Sequence, residues 1–195
     1  MNQMKKIAVW LVVLALTACA TATKIESGER NVGERLRIVL EGDWNKISAP
    51  GMNGPNSETW TMEGVPVDQL LIYSGLKENE AVHSEFGGDK KSFKFRANMQ
   101  PDQIVALFEG MLTRDGSTFK LVKLEPTPFG GGKGFRFEYT LIRKTDNVEL
   151  NGTASAVVSK NELFAIVYQA PKLVFFPRHQ ERVTRIMRSA RVQGA

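Results

Sequence analysis

The sequence predicts an α+β fold, an antiparallel sheet flanked by helices, and three stretches predict it. Between Pro101 and Leu112, the residues Ile104, Leu107, Phe108 and Met111 recur at the i, i+3, i+4, i+7 spacing of one buried helical face. Between Gly134 and Arg143 the period changes to two, with Phe135, Phe137, Tyr139 and Leu141 alternating with Arg136, Glu138 and Thr140. That is a strand with one face buried and one exposed. A second helical pattern, Pro177–Ala190, turns Val183, Ile186, Met187 and Ala190 inward. Helices bracketing an antiparallel run of strands define the α+β class.

The remaining elements follow in chain order. Arg35–Glu41 reads as the first strand, with Leu36, Ile38 and Leu40 on one face and Gly42-Asp43-Trp44 ending it. Ser48–Ser57 is rich in Pro, Gly and Asn and reads as a loop. Glu58–Met62 and Val67–Tyr73 read as strands around Gly64-Val65-Pro66. Residues 74–92 are polar and irregular, with Phe93–Arg96 a short extended piece. Pro101 and Asp102 suit the first turn of the helix that follows, and Gly116 lies just past its end. Phe119–Leu124, Gly134–Arg143, Leu150–Ser159 and Leu163–Ala170 are then four strands. Asp146-Asn147 and Lys160-Asn161 sit where hairpin turns belong, so the C-terminal half forms a meander.

The N-terminus has a different character. Lys5 and Lys6 precede an apolar run from Ile7 to Leu16, the order of a secretory signal peptide. The run is too short for a membrane span, which needs ~20 apolar residues. Leu16-Thr17-Ala18-Cys19 resembles the lipobox of bacterial lipoproteins. The resemblance implies that residues 1–18 are removed and that Cys19 is acylated. Ala20 in the next position, where aspartate would retain the protein, implies the periplasmic face of an outer membrane. Residues 20–33 are small and polar and read as a tether, so 19–33 is expected to be lipidated cysteine plus linker and 34–195 a single domain. A flexible tether of that length would set the domain on the order of 20 Å from the membrane.

The bulk numbers narrow the function classes. The chain has 195 residues, 42% hydrophobic and 24% charged, enough to bury a core without staples. Cys19 is the sole cysteine, so a lipidated chain keeps no thiol for a disulfide, a nucleophile or a metal. The formal charge of +5 falls by two when Lys5 and Lys6 leave. That is too small to point to nucleic acid.

Four stretches resemble the PsbP-like superfamily, which includes bacterial DcrB-type lipoproteins. They are the early strand running into Gly42-Asp43-Trp44, the helix Pro101–Leu112, the meander ending in Ile166-Val167-Tyr168-Gln169-Ala170-Pro171, and the helix ending in Ile186-Met187-Arg188-Ser189-Ala190. The resemblance implies an α/β/α sandwich around an antiparallel sheet of about six to seven strands. It also implies accessory, assembly or binding work rather than catalysis.

The candidate chemistry is sparse. Glu80, His83 and Glu85 cluster in sequence, but two histidines and no free thiol are a poor ligand set, so no metal or other cofactor is expected. His179 falls at the edge of the apolar face of the last helix and reads as a packing residue. Gly130-Gly131-Gly132-Lys133-Gly134 lacks the Ser or Thr and the following helix of a phosphate loop and reads as a hairpin connection. No G-x-S-x-G elbow and no spaced carboxylate pair is present, so the chain is not expected to be an enzyme. Arg178, Arg182, Arg185 and Arg188 share a broad face of the last helix. Such a face fits solvent, anionic lipid headgroups or an acidic envelope protein. The expected function is therefore a lipid-anchored accessory or binding protein of the cell envelope. An envelope hydrolase with an unrecognised site and a carrier of a small apolar ligand are the alternatives.

Overall fold

Strand β10 (Glu162–Pro171) organises the molecule, because both of its faces are buried and alternate residues feed two cores. Phe164, Ile166, Tyr168 and Ala170 enter one core, and Leu163, Ala165 and Val167 enter the other. The computed structural model describes residues 20–84 and 93–194. Helix α1 (Pro101–Leu112) closes one core with Ile104, Val105, Leu107 and Phe108. Helix α2 (Phe175–Ser189) closes the other with Val183, Ile186 and Met187. The two helices thus lie on opposite faces of one sheet, the layered α+β arrangement that the sequence predicts.

That sheet has eight strands in the order β1-β4-β5-β6-β10-β9-β8-β7, all antiparallel, where six to seven were expected. The members besides β10 are β1 (Thr21–Ile25), β4 (Trp44–Ser48), β5 (Ser57–Thr61), β6 (Gln69–Leu76), β7 (Thr118–Pro126), β8 (Phe135–Ile142) and β9 (Glu149–Ser159). A second sheet of three strands joins β2 (Gly28–Val32), β3 (Leu36–Leu40) and β11 (Arg191–Val192) in the order β11-β3-β2. Leu36, Ile38 and Leu40 of β3 pack into the α2 core.

The meander forms where the turn residues place it. Lys160 and Asn161 both take positive φ, 50° and 62°, and close a two-residue hairpin between Ser159 and Glu162. Gly75, at φ 116°, supplies the irregularity by which β6 shifts register against Leu163 and Phe164. Helix α1 matches its predicted bounds, and Gln100 N–H donates to Gln103 Oε1 at its start (2.8 Å). Helix α2 begins two residues earlier than expected. Pro177 then falls in the first turn, where no N–H is needed.

The tether reading is corrected. Residues 21–25 and 28–32, expected to be linker, are strands β1 and β2. Their order comes from ladders to β4 and β3, not from burial, and Val32 is the buried side chain among them. The ordered domain therefore begins by Thr21 rather than near residue 34. Strand β4 was also missed, because Trp44-Asn45-Lys46-Ile47-Ser48 does not alternate cleanly. The signal segment 1–18 and Cys19 lie outside the described residues. Among the described residues no helix is long and apolar enough to cross a membrane.

These layers predict unequal costs along α2. Ile186 is fully buried, so Ile186→Ala should cost about 2–5 kcal/mol. Arg185→Gln, on the exposed face, should cost far less, because surface charges contribute little to folding. Urea denaturation midpoints of the two variants check the difference.

Candidate functional site

Helix α1 covers only part of its face of the sheet. Beyond its C-terminal end lies a cleft of about 560 Å³, open to solvent. Strands β6 and β10 form the floor with Gln69, Leu71, Tyr73 and Gln169. Met111, Leu112, Arg114 and Asp115 form the helix-side wall, and the loop 49–54 with Val65 and Val67 forms the opposite one. The cleft exists because α1 stops at Leu112 while the sheet beneath it continues.

A chain of neutral hydrogen bonds crosses the floor. Tyr139 O–H donates to Gln169 Oε1 (3.1 Å), Gln169 Nε2 donates to Gln69 Oε1 (3.3 Å), and Gln69 Nε2 donates to the Val65 carbonyl (3.2 Å). Nearby, Tyr73 O–H donates to the Val82 carbonyl (2.8 Å). Burial raises the pKa of both tyrosines above the ordinary phenol range, so both stay protonated at any physiological pH. These groups orient one another and are suited to hydrogen bonding rather than proton transfer.

Two arginines frame the cleft. Arg143 is fixed by a two-point ion pair to Asp146 (2.9 and 2.6 Å), which raises its already high pKa, and donates to the Pro66 carbonyl (2.6 Å). Arg114 Nη1 lies 2.9 Å from His83 Nδ1, which is also 2.7 Å from the Ser84 carbonyl. One nitrogen can accept from the arginine or donate to the carbonyl, but not both, so the proton on His83 selects its partner. Among the described residues, His83 Nε2 is buried without a hydrogen-bond partner.

The residues singled out in the sequence fall elsewhere or apart. Glu80 accepts from the Lys77 N–H (2.8 Å) and clamps a turn. It does not join His83, and Glu85 lies outside the described residues. Among the described residues no three His, Cys, Asp or Glu side chains gather as metal ligands. The glycine segment makes a tight turn in which Phe129 bridges Gly132. His179 is buried, with Nε2 2.9 Å from Glu63 Oε1.

Three of the four arginines on α2 have partners within the domain. Arg178 pairs with Glu63 (3.1 Å) and stacks over Phe175, and Arg185 forks onto Glu41 (2.7 and 2.8 Å). Arg182 Nη1 lies 3.0 Å from Met62 Sδ. The acceptors sit on the β3–β4 and β5–β6 connections, so the arginine face clasps two turns. Arg188 stands apart, exposed beside Arg191 and the Phe129-Gly130-Gly131 turn. Sequence reasoning missed Gln69, Gln169, Arg114 and Arg143, which carry no spacing signal.

No protein-family model and no curated protein matches the chain. Among solved structures the chain is similar to cyanobacterial PsbP (CyanoP) from Synechocystis sp. PCC 6803, at TM-score 0.58 and 13% identity, covering 91% of this chain and 95% of that one. It also aligns with the Ran-binding protein Mog1p of Saccharomyces cerevisiae, at TM-score 0.46 and 8% identity over 89% of this chain and 96% of that one. A third alignment is with LpqN of Mycobacterium tuberculosis, involved in cell envelope biogenesis, at TM-score 0.39 and 10% identity over 89% and 91%. The first of these shows the fold to be PsbP-like.

Two predictions follow from the site. A Cβ on Gly152 would lie 2.0 Å from the Tyr139 ring, so Gly152→Ala must displace the tyrosine that starts the hydrogen-bond chain. It should lower stability by about 1–3 kcal/mol, read from urea denaturation. The second concerns Glu63. The hydrogen bond from His179, with that from Arg178 beside it, holds its carboxyl below the usual range. A depressed carboxylate stabilises the fold above its unfolded pKa, and that contribution is lost as pH falls through the folded value. Glu63→Gln should therefore lower the urea midpoint at neutral pH and flatten its fall between about pH 5 and pH 3.

Proposed function

We propose that this chain is a lipid-anchored cell-envelope protein with a non-enzymatic accessory or binding role, using the cleft beside α1 as its binding site. The carrying observation is Leu16-Thr17-Ala18-Cys19, placed directly after a basic start and a short apolar run. Cys19 is the acylated residue, and Ala20 after it directs the protein to the periplasmic face of the outer membrane.

Two features support binding rather than catalysis. The polar groups on the cleft floor are the Gln69 and Gln169 amides and the Tyr73 phenol, which recognise a ligand by hydrogen bonds. The PsbP-like fold supports the same reading by analogy alone. On the α2 surface, an acidic or anionic partner would meet Arg188 and Arg191 most directly, because Arg178 and Arg185 already hold Glu63 and Glu41.

Cys19→Ser should abolish acylation and release the protein from the membrane fraction. Intact-mass measurement and fractionation decide it. A mature wild-type protein without acyl mass overturns the lipoprotein reading.

A further inference from the structure

The position of strand β1 joins the anchor to the cleft. Thr21 is two residues after Cys19, so at most about 7 Å of chain separates them. Thr21 is paired with Ser48, and its hydroxyl donates to the Ser48 carbonyl (3.4 Å). The next residues, Ala49 to Gly54, are the cleft wall. An anchor at Cys19 is therefore tied to the lip of the cleft by chain and ladder. The other end of β4 lies about 13 Å away, at four residue rises, and there Ile25 pairs with Trp44 close to the Glu41–Arg185 clasp. The arginine clasp thus lies away from the anchor, while the loop 49–54 lip of the cleft lies beside it and the cleft runs from there along β6 to Gln69.

We propose that the β1–β4 end of the sheet rests on the bilayer, and that the cleft takes the polar end of a membrane phospholipid. The proposal rests on the lipid anchor of the preceding section. A site whose lip is tied this closely to the anchor meets bilayer lipid at a high effective concentration, whereas soluble ligands gain nothing from the attachment. The lining matches an amphiphile. Leu71, Met111 and Leu112 offer apolar surface, and Gln69 and Gln169 offer amides to the ester and phosphate oxygens of a headgroup.

The test uses the acylated full chain in vesicles of phosphatidylethanolamine and phosphatidylglycerol containing a headgroup-nitroxide lipid. With Cys19 acylated, Met52→Cys and Val122→Cys each provide one free thiol for a fluorophore. Met52 lines the cleft. Val122 lies on β7, seven strand spacings from β1, on the order of 30 Å. The Met52 probe should be quenched severalfold more than the Val122 probe, and a Gly-Ser linker inserted between Ala20 and Thr21 should erase the difference. Equal quenching of vesicle-bound protein overturns the orientation while leaving the anchor intact. Protein that stays in the supernatant overturns the anchor and this proposal with it. A photoactivatable phosphatidylglycerol should label cleft peptides, and Leu71→Trp, which fills the cleft, should cut that labelling severalfold. Gln69→Trp serves the same purpose if circular dichroism shows Leu71→Trp unfolded. Labelling unchanged in the folded filling variant overturns the cleft assignment.

Discussion

Everything else in the molecule depends on β10 being buried on both faces. A strand with only one apolar face could support one helix. Here Phe164, Ile166 and Tyr168 hold α2 while Leu163, Ala165 and Val167 hold the α1 side, so the two cores share one backbone. Strand β10 pairs with β6 on one side and β9 on the other, and so locks the N-terminal strands to the meander. The small sheet is tied to the same strand, because Arg35 beside β3 ion-pairs with Glu162 and stacks over Phe164 (5.4 Å). The cleft inherits this rigidity, since Gln169 belongs to β10 and Gln69 sits opposite it on β6.

The elements legible in the sequence are those whose burial imposes a period. Strand β8 buries Phe135, Phe137, Tyr139 and Leu141 on one side, and its alternation survives intact in the sequence. Helix α1 buries Ile104, Leu107 and Phe108 on one stripe and ends where its pattern ends. The elements that escaped are held by backbone pairing. In β1, Thr21-Ala22-Thr23-Lys24 is exposed throughout, because an edge strand can be ordered by its ladder without burying a face. No hydrophobic pattern can report such a strand, and a polar edge strand resembles a linker for that reason.

The site was less legible for a related reason. Gln69 and Gln169 are 100 residues apart in sequence and meet only because β6 and β10 are neighbours. Arg114 and Arg143 each look like ordinary surface charges until α1 and the meander bring them to one rim. Spacing arguments find sites built on one helix or one loop. They do not find sites assembled across a sheet by register.

The arginines of α2 illustrate the same limit from the other side. Their spacing was correctly read as one helical face, but helical periodicity contains no information about what that face meets. The partners, Glu63 and Glu41, lie 115 and 144 residues earlier, on turns that only the folded sheet carries beneath the helix. With both carboxylates engaged, the charge of the helix is spent largely within the domain, and it fastens α2 to the end of the sheet opposite Thr21 and Ser48. The molecule is therefore polarised along β4. At one end, long cationic side chains close over acidic turns and leave little unpaired charge between α2 and the sheet. At the other, the loop 49–54 forms one end of the cleft, beside Thr21 at the start of β1. Register carries the cleft from that loop along β6 to Gln69 and Val65, so its floor joins the Thr21 end of β4 to the turn that carries Glu63.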